Sequence, residues 1–356
     1  MIDARSANHL ETVCDRTAGA GSSACTKKKA VIVCRPIAHM MSVGGYERMI
    51  LDCQAHIFRD YDIHLLMWDG RSRLELLHDG HTLPPEKIEA ELNLEDLAFA
   101  FFFCPDSHPS DPVILKRIAA QVPSFAFVQR YPEDGVDERR FRGLIALSAE
   151  SPHDDVLAAG GWYDPEVFFK NRRSEEFVLC VGRIYPEKNQ LELARGYRER
   201  IYARYKLPLY LVGGTEDVDY FRQVHSLVDQ ESTLCTADLA DPAARRSWRS
   251  AGEIAELCNR ARLFVMPSPR ETFCIALAEA MACGTTCVVN GEFSGFDADD
   301  LQPNVYGNVR GKNGGILRLV EQALEQELRI DASGWVKKFS APSRRAKILS
   351  FIESRL

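Results

Sequence analysis

Four charged residues in the second half of the chain could do chemistry that a plain core does not need: Arg183, Lys188, Glu271 and Glu279. Between Ile275 and Ala282 every side chain is apolar except Glu279, which predicts a helix covered on all sides. A carboxylate there loses much of its hydration energy unless it is partnered. Glu271 precedes that helix, beside backbone N–H groups that have no partner within the helix and favour an anion such as phosphate. Two carboxylates flanking an anion site suit a ligand with hydroxyls on either side of a diphosphate, which describes a nucleotide sugar. Lys188 follows Pro186, a residue suited to a helix first turn. A cation there opposes the helix dipole, and a diphosphate would turn that cost into an attraction. The alternatives are ordinary ones: Glu279 paired with a core Arg, Glu271 capping the helix, and Lys188 solvated.

The elements that must position these residues read as repeated strand–loop–helix units. Leu263 to Met266 is an apolar strand, Pro267 to Arg270 a loop, Cys274 to Cys283 a helix closed by Gly284, and Thr285 to Val289 another strand. Upstream, Phe177 to Val181 is a strand leading through Gly182-Arg183 to a helix predicted over Gln190 to Arg200. Leu209 to Gly214 and Thr233 to Thr236 are further strands, Val218 to Gln230 a helix, and Gly252 to Cys258 leads back to the central unit. Asp238 to Ser250, with Arg245, Arg246 and Arg249, is an insert read as a solvated loop. Helices are expected over Ile316 to Leu328 and Ala341 to Leu356.

The first half opens with a βαβ pattern: strand Ala30 to Arg35, helix Tyr46 to Phe58, strand Ile63 to Trp68. Gly44-Gly45 at the strand-to-helix turn would let backbone approach a ligand, or form a plain tight turn. Leu97 to Cys104, Ser124 to Tyr131 and Leu144 to Ser148 are strand candidates, with a helix over Val113 to Ala120. His39 and His108 follow strands in this half and are the acceptor-side candidates, although a lone His is more often structural.

The stretch Pro-Ser-x-x-Glu-Thr-Phe-x-x-x-Leu-x-Glu-Ala-Met-Ala-x-Gly, with Gly-Arg…Glu-Lys-Asn upstream, resembles the signature of family 4 retaining glycosyltransferases. The resemblance is strong from Phe177 to Gly291, fair at Gly44-Gly45 and weak elsewhere in the first half. It implies the GT-B fold: an α/β architecture of two Rossmann-like domains facing a cleft, with a C-terminal helix crossing back to the first domain. It implies that Glu271 lies near the donor sugar and Glu279 holds the ribose hydroxyls. Backbone over Thr272, Phe273, Cys274 and Ile275 would contact the donor, with Gly44 and Gly45 near phosphate and acceptor. Arg183 and Lys188 would hold the diphosphate, with transfer by front-face attack. The family usually has Gly at Cys274 and Pro at Thr286, and many relatives have Gly-Gly where this chain has Ser294-Gly295-Phe296. Cys274 therefore adds a Cβ where backbone should approach ligand.

Domain boundaries follow as a flexible tail over 1–29, an acceptor domain over 30–165, a donor domain over 166–340 and the terminal helix over 341–356. Composition is ordinary for a globular protein, and a net charge of −7 argues against nucleic acid as main partner. The eleven Cys show no CxxC pair or Cys/His spacing suited to zinc and read as reduced core residues, placing the chain in the cytoplasm. No stretch is long enough to insert into a bilayer. From Ala30 to Lys170 there are 13 Lys or Arg against 23 Asp or Glu, 13 − 23 = −10, so the remainder carries −7 + 10 = +3. A soluble acceptor, neutral or amine-bearing, suits that field better than an anionic membrane.

The function expected is transfer of a sugar from a nucleotide sugar, UDP-linked first and GDP-linked next, to a hydroxyl of that acceptor. Neither cofactor nor metal is required. The Asp297-Ala-Asp299-Asp300 run is read as solvated loop. The alternatives are a GT-B nucleotide-sugar 2-epimerase and a non-catalytic nucleotide-sugar-binding protein.

Overall fold

Apolar runs without polar alternation become the buried strands of two largely parallel sheets, because strands covered on both faces need no polar side. The computed structural model describes residues 27–34, 45–69, 74–103, 112–131, 136–149, 153–171, 174–215, 217–236, 249–311 and 314–356. The chain divides into two units. The first takes in Met1–Met40, Ile50–Ala159 and Arg344–Leu356, and the second Met41–Met49 and Gly160–Ser343.

The first unit holds an eight-stranded sheet: β1 (Lys28–Cys34), β2 (Tyr61–Trp68), β3 (Leu74–His78), β4 (His81–Leu83), β5 (Leu97–Phe103), β6 (Ser124–Tyr131), β7 (Gly143–Ala149) and β8 (Val156–Ala158). Its order is β4-β3-β2-β1-β5-β6-β7-β8. The pairings are parallel except at β2-β3 and β3-β4. That hairpin is not foreseen from the sequence. Phe58, Phe99, Phe101 and Phe125 are fully buried and meet at ring separations of 5.2 to 6.5 Å. The expected helix over Tyr46 to Phe58 is α1 (Gly45–Asp52), continued by a wider π turn, Cys53–Ile57. A second helix, α2 (Pro85–Glu91), follows the hairpin, and α3 (Val113–Gln121) lies between β5 and β6.

The second unit holds β9 (Phe177–Val181), β10 (Leu209–Val212), β11 (Thr233–Cys235), β12 (Ala261–Met266), β14 (Cys287–Asn290) and β16 (Tyr306–Asn308). Their order is β11-β10-β9-β12-β14-β16, all parallel. Counted from β9, this is the 3-2-1-4-5-6 order of a doubly wound dinucleotide-binding sheet, whose ligand crevice lies where the order reverses, beyond the carboxyl ends of the first and fourth strands. Here those strands are β9 and β12. A two-stranded ribbon, β13 (Arg270–Glu271) with β15 (Glu292–Phe293), sits just past that edge.

The helix expected over Gln190 to Arg200 is broken. It runs as α4 (Gln190–Ala194), turns at Gly196, and resumes as a π turn over Arg198–Tyr202. Around the sheet lie α5 (Val218–His225), α6 (Ala251–Arg260), α7 (Ile275–Ala282) and α8 (Ile316–Glu325). Helix α6 opens with a Ser250/Glu253 capping box. Helix α7 closes at Gly284 with paired bonds, Thr285 N–H to Ala280 O and Gly284 N–H to Met281 O, a Schellman end that needs the left-handed φ of 71° at Gly284. The last helix, α9 (Ala341–Glu353), belongs to the first unit from Arg344 onward. The insert over residues 237–248 lies outside the described residues, as do residues 1–26.

Candidate functional site

The loops after β9 and β12 carry the residues singled out by sequence. After β9 the chain turns at Gly182, and Gly182 N–H donates to Val212 O, drawing the ends of β9 and β10 together. The approach is so close that a Cβ on Gly213 would lie 2.0 Å from Gly182 O, so only glycine fits there. Gln190 Nε2 donates to Arg183 O at 2.7 Å and, with its side chain buried, fixes the loop from within. Pro186–Lys188 forms a single 3-10 turn, and Asn189, in a left-handed conformation, donates to Pro267 O of the β12 loop at 3.2 Å. The two loops are thereby tied together.

This brings Lys188 and Glu271 into contact. Lys188 Nζ donates to Glu271 Oε1 at 2.6 Å, with the two side chains 28% and 8% exposed. Burial, the largest influence, would lower the Lys188 pKa, but the charge and hydrogen bond of Glu271, with Cys274 beside it, together hold the ammonium above its ordinary value. Arg183 lies exposed on the same loop, close enough to repel the Lys188 charge. Ribbon pairing fixes Glu271: Ser294 N–H donates to Glu271 O at 3.1 Å, and Gly295 N–H to Thr272 O at 2.5 Å. The Ser294-Gly295-Phe296 segment is thus joined to the Glu271-Thr272 backbone.

Helix α7 begins at Cys274, whose φ of 57° and ψ of 79° are left-handed and whose side chain makes no capping hydrogen bond. A non-glycine residue in this region costs about 1–2 kcal/mol. The strain falls at a position where the family resemblance expects glycine. Burial, with the Glu271 charge second, pushes the Cys274 thiol well above its usual pKa, so it is not a nucleophile at neutral pH. The N–H groups at the start of α7 follow Glu271 closely in the chain and receive no side-chain cap from Cys274, the arrangement that accepts an anion.

Phe273 is 1% exposed and stacks on Phe296 at 4.4 Å, with Phe339 edge-on at 5.2 Å. Gly161 packs against the same ring. The Phe273 side chain is therefore core, and only its backbone can meet a ligand. Thr272 and Ile275 are half-buried on either side of Cys274.

Glu279 is 1% exposed and makes a two-pronged pair with Arg48 of α1, Nε to Oε1 at 2.8 Å and Nη2 to Oε2 at 2.7 Å. Burial raises the Glu279 pKa, and the Arg48 guanidinium works against that rise. This is the core Arg partner weighed as the ordinary alternative. Sequence reasoning did not find Arg48, since the partners are 231 residues apart. The Asp297 run is not the plain solvated loop expected from the sequence, since Ala298–Leu301 is a short helix. Asp297 caps a short helix through the N–H groups of Asp299 and Asp300, Asp299 pairs with Arg310, and Asp300 with Lys338. Gly45 begins α1, whereas Gly44, His39 and His108 lie outside the described residues. The described cysteines form no disulfide, and no described helix is long and apolar enough to cross a membrane.

Comparison with known proteins fits this geometry. Residues 164–298 match the family model described as glycosyl transferases group 1. No curated protein matches the chain. Among solved structures, it is similar to AviGT4, a glycosyltransferase involved in avilamycin A biosynthesis, at 14% identity and TM-score 0.59, covering 91% of this chain and 97% of that one. It is also similar to sucrose-phosphate synthase from Thermosynechococcus elongatus, at 12% identity and TM-score 0.61, covering 92% and 98%. The Anabaena protein HepE, solved in complex with UDP and glucose, matches at 13% identity and TM-score 0.61, covering 92% and 100%. The chain has the GT-B fold of these structures, and its residues 164–298 match the group 1 glycosyl transferase model.

Proposed function

We propose that the enzyme is a retaining glycosyltransferase of family 4 that takes its sugar from a nucleotide sugar, UDP-linked first and GDP-linked next. The observation that carries this reading is the Lys188–Glu271 pair at the switch point of the second unit's sheet, beside the uncapped start of α7. Lys188, Arg183 and the N–H groups of α7 supply positive potential for a diphosphate without a metal ion. A bound diphosphate competes with Glu271 for the Lys188 ammonium, leaving Glu271 to accept hydrogen bonds from sugar hydroxyls. Glu279 turns to the ribose when Arg48 yields one of its two prongs. That a solved structure of the same fold holds UDP and glucose supports a UDP-linked donor. The leaving phosphate takes the acceptor proton, and Cys274, with its raised pKa, does not serve as nucleophile.

The acceptor is a soluble hydroxyl compound, amine-bearing by preference, because the segment from Ala30 to Lys170 carries −10. Such steering fades as salt rises. The test is a thermal-shift screen against UDP-, GDP-, ADP- and TDP-sugars, since a ligand bound by the folded state alone raises the melting temperature. The reading expects the largest shift from a UDP-sugar. A flat response across all four removes the nucleotide-sugar assignment.

A further inference from the structure

We propose that Asp62, His64 and His78 form a binding site for one divalent first-row transition ion, zinc foremost, at the edge of the first unit's sheet. The proposal stands on the β2-β3 pairing and owes nothing to the sugar-transfer reading. Asp62 and His64 are two apart on β2 and so share a face of the sheet. The antiparallel register Leu65↔Leu77 carries on to set His64 opposite His78. The two imidazoles lie stacked, with centroids 3.8 Å apart and planes 15° from parallel. Asp62 reaches both: Oδ1 is 2.9 Å from His78 Nε2, and Oδ2 is 3.8 Å from His64 Nε2. One ligand atom from each of the three residues lies within 4.8 Å of the other two.

His64 is what calls for a ligand. It is 1% exposed, and among the described residues neither ring nitrogen has a hydrogen-bond partner. A neutral imidazole carries one donor and one acceptor, and buried polar groups of this kind are nearly always satisfied. Two imidazoles and a carboxylate are the donor set of open zinc sites, at metal–nitrogen distances of about 2.0–2.1 Å. Small rotations of the three side chains would bring the donors from their present spacing onto one ion.

The surroundings complete the arrangement. Glu91, at the end of α2, places Oε1 3.8 Å from His78 Nδ1. A carboxylate behind the second ring nitrogen of a liganding His fixes its tautomer and orientation. Asp79, in the turn between β3 and β4, lies 3.9 Å from His78 Nε2 and is exposed, offering a further oxygen. Lys29 on β1 pairs in register with Asp62 and offsets part of the negative charge. Asp62 and Glu91 are partly exposed, so an ion has a way in. Asp62 and His64 occupy the amino-terminal half of β2, away from the carboxyl edge at which α/β sheets take substrates. The ion would pin the β3-β4 hairpin to the sheet.

The test uses the full chain, stripped with a chelator, dialysed and titrated with zinc chloride by calorimetry. Cobalt(II) absorption serves as a second readout, because tetrahedral coordination intensifies its visible bands. One equivalent of zinc should bind and raise the melting temperature. Asp62→Asn and His78→Gln should each weaken binding at least tenfold while the metal-free melting temperature stays near that of the native chain. Glu91→Gln should weaken it about tenfold without abolishing it. Absence of zinc binding overturns the proposal. So does unchanged affinity in the Asp62→Asn/His78→Gln double variant, which would place the ion elsewhere.

Discussion

Replacing Arg48 with Met isolates the buried charge of Glu279 and can be worked through from the geometry. The wild-type carboxylate is 1% exposed and receives two hydrogen bonds from the guanidinium, at 2.8 and 2.7 Å. Without them the charged form is not tolerable in the α7 interior, and the group takes up a proton instead. Holding that proton at pH 7 costs about 1.36 kcal/mol for each unit between pH 7 and an unfolded pKa of about 4.3, or roughly 3.7 kcal/mol. That agrees with about 3–5 kcal/mol for breaking a buried pair by removing one partner. The sign follows from a folded pKa raised above the unfolded one: the penalty is absent below about pH 4.3 and grows as pH rises toward the folded value. Arg48→Met should therefore lose about 1 kcal/mol at pH 5 and about 3–4 at pH 7. At roughly 2–4 °C per kcal/mol for a unit of this size, the drop in melting temperature at pH 7 is roughly 6–16 °C. Thermal melts at both pH values, with Arg48→Met and Arg48→Met/Glu279→Gln, provide the assay. The double variant should regain most of the loss. An equal loss at both pH values, or none at pH 7, refutes the reasoning.

Two further perturbations address the site. Cys274→Gly removes a left-handed strain of about 1–2 kcal/mol and adds about 0.5–1 kcal/mol of unfolded-chain entropy. The melting temperature should hold or rise by a few degrees, and a clear fall would show that the Cys274 side chain contributes more by packing than it costs in strain. Arg183→Ala and Lys188→Ala should each lower turnover by on the order of a hundredfold, as for losing one preorganised donor. EDTA should leave transfer nearly unchanged even where it lowers the melting temperature by removing an ion from Asp62, His64 and His78. Strong inhibition that magnesium or manganese restores would contradict a metal-free diphosphate site.

The second unit was more legible in the sequence than the first, for physical reasons. Its central strands β9, β12 and β14 are short, fully buried and mostly apolar runs, and Phe177–Val181 falls on the bounds the sequence suggested. The lone Glu279 in an apolar helix announced that it needed a partner, but nothing local named Arg48. The break in the helix after Ala194 was missed because the apolar periodicity runs on past Gly196, whose φ is 77°. The β3-β4 hairpin was missed because Leu-Glu-Leu-Leu-His alternates poorly. A signal was present nonetheless in Asp79-Gly80, both residues at positive φ, the pair that favours a two-residue hairpin turn. Without the β2-β3 pairing, which was missed with it, His78 could not be placed beside His64. The ribbon that fixes Glu271 has two residues in each strand, too few for any period to show.

The central claim is that the β9 and β12 loops of the second unit hold the nucleotide diphosphate and ribose. Calorimetric titration of UDP into the wild type, Lys188→Ala and Glu279→Gln tests it most directly, with melts to confirm that each variant is folded. The account predicts binding by the wild type and a loss of about tenfold or more in each variant, the scale of one charge-assisted hydrogen bond. Unchanged affinity in both folded variants would contradict it, leaving Lys188–Glu271 and Arg48–Glu279 as structural ion pairs alone.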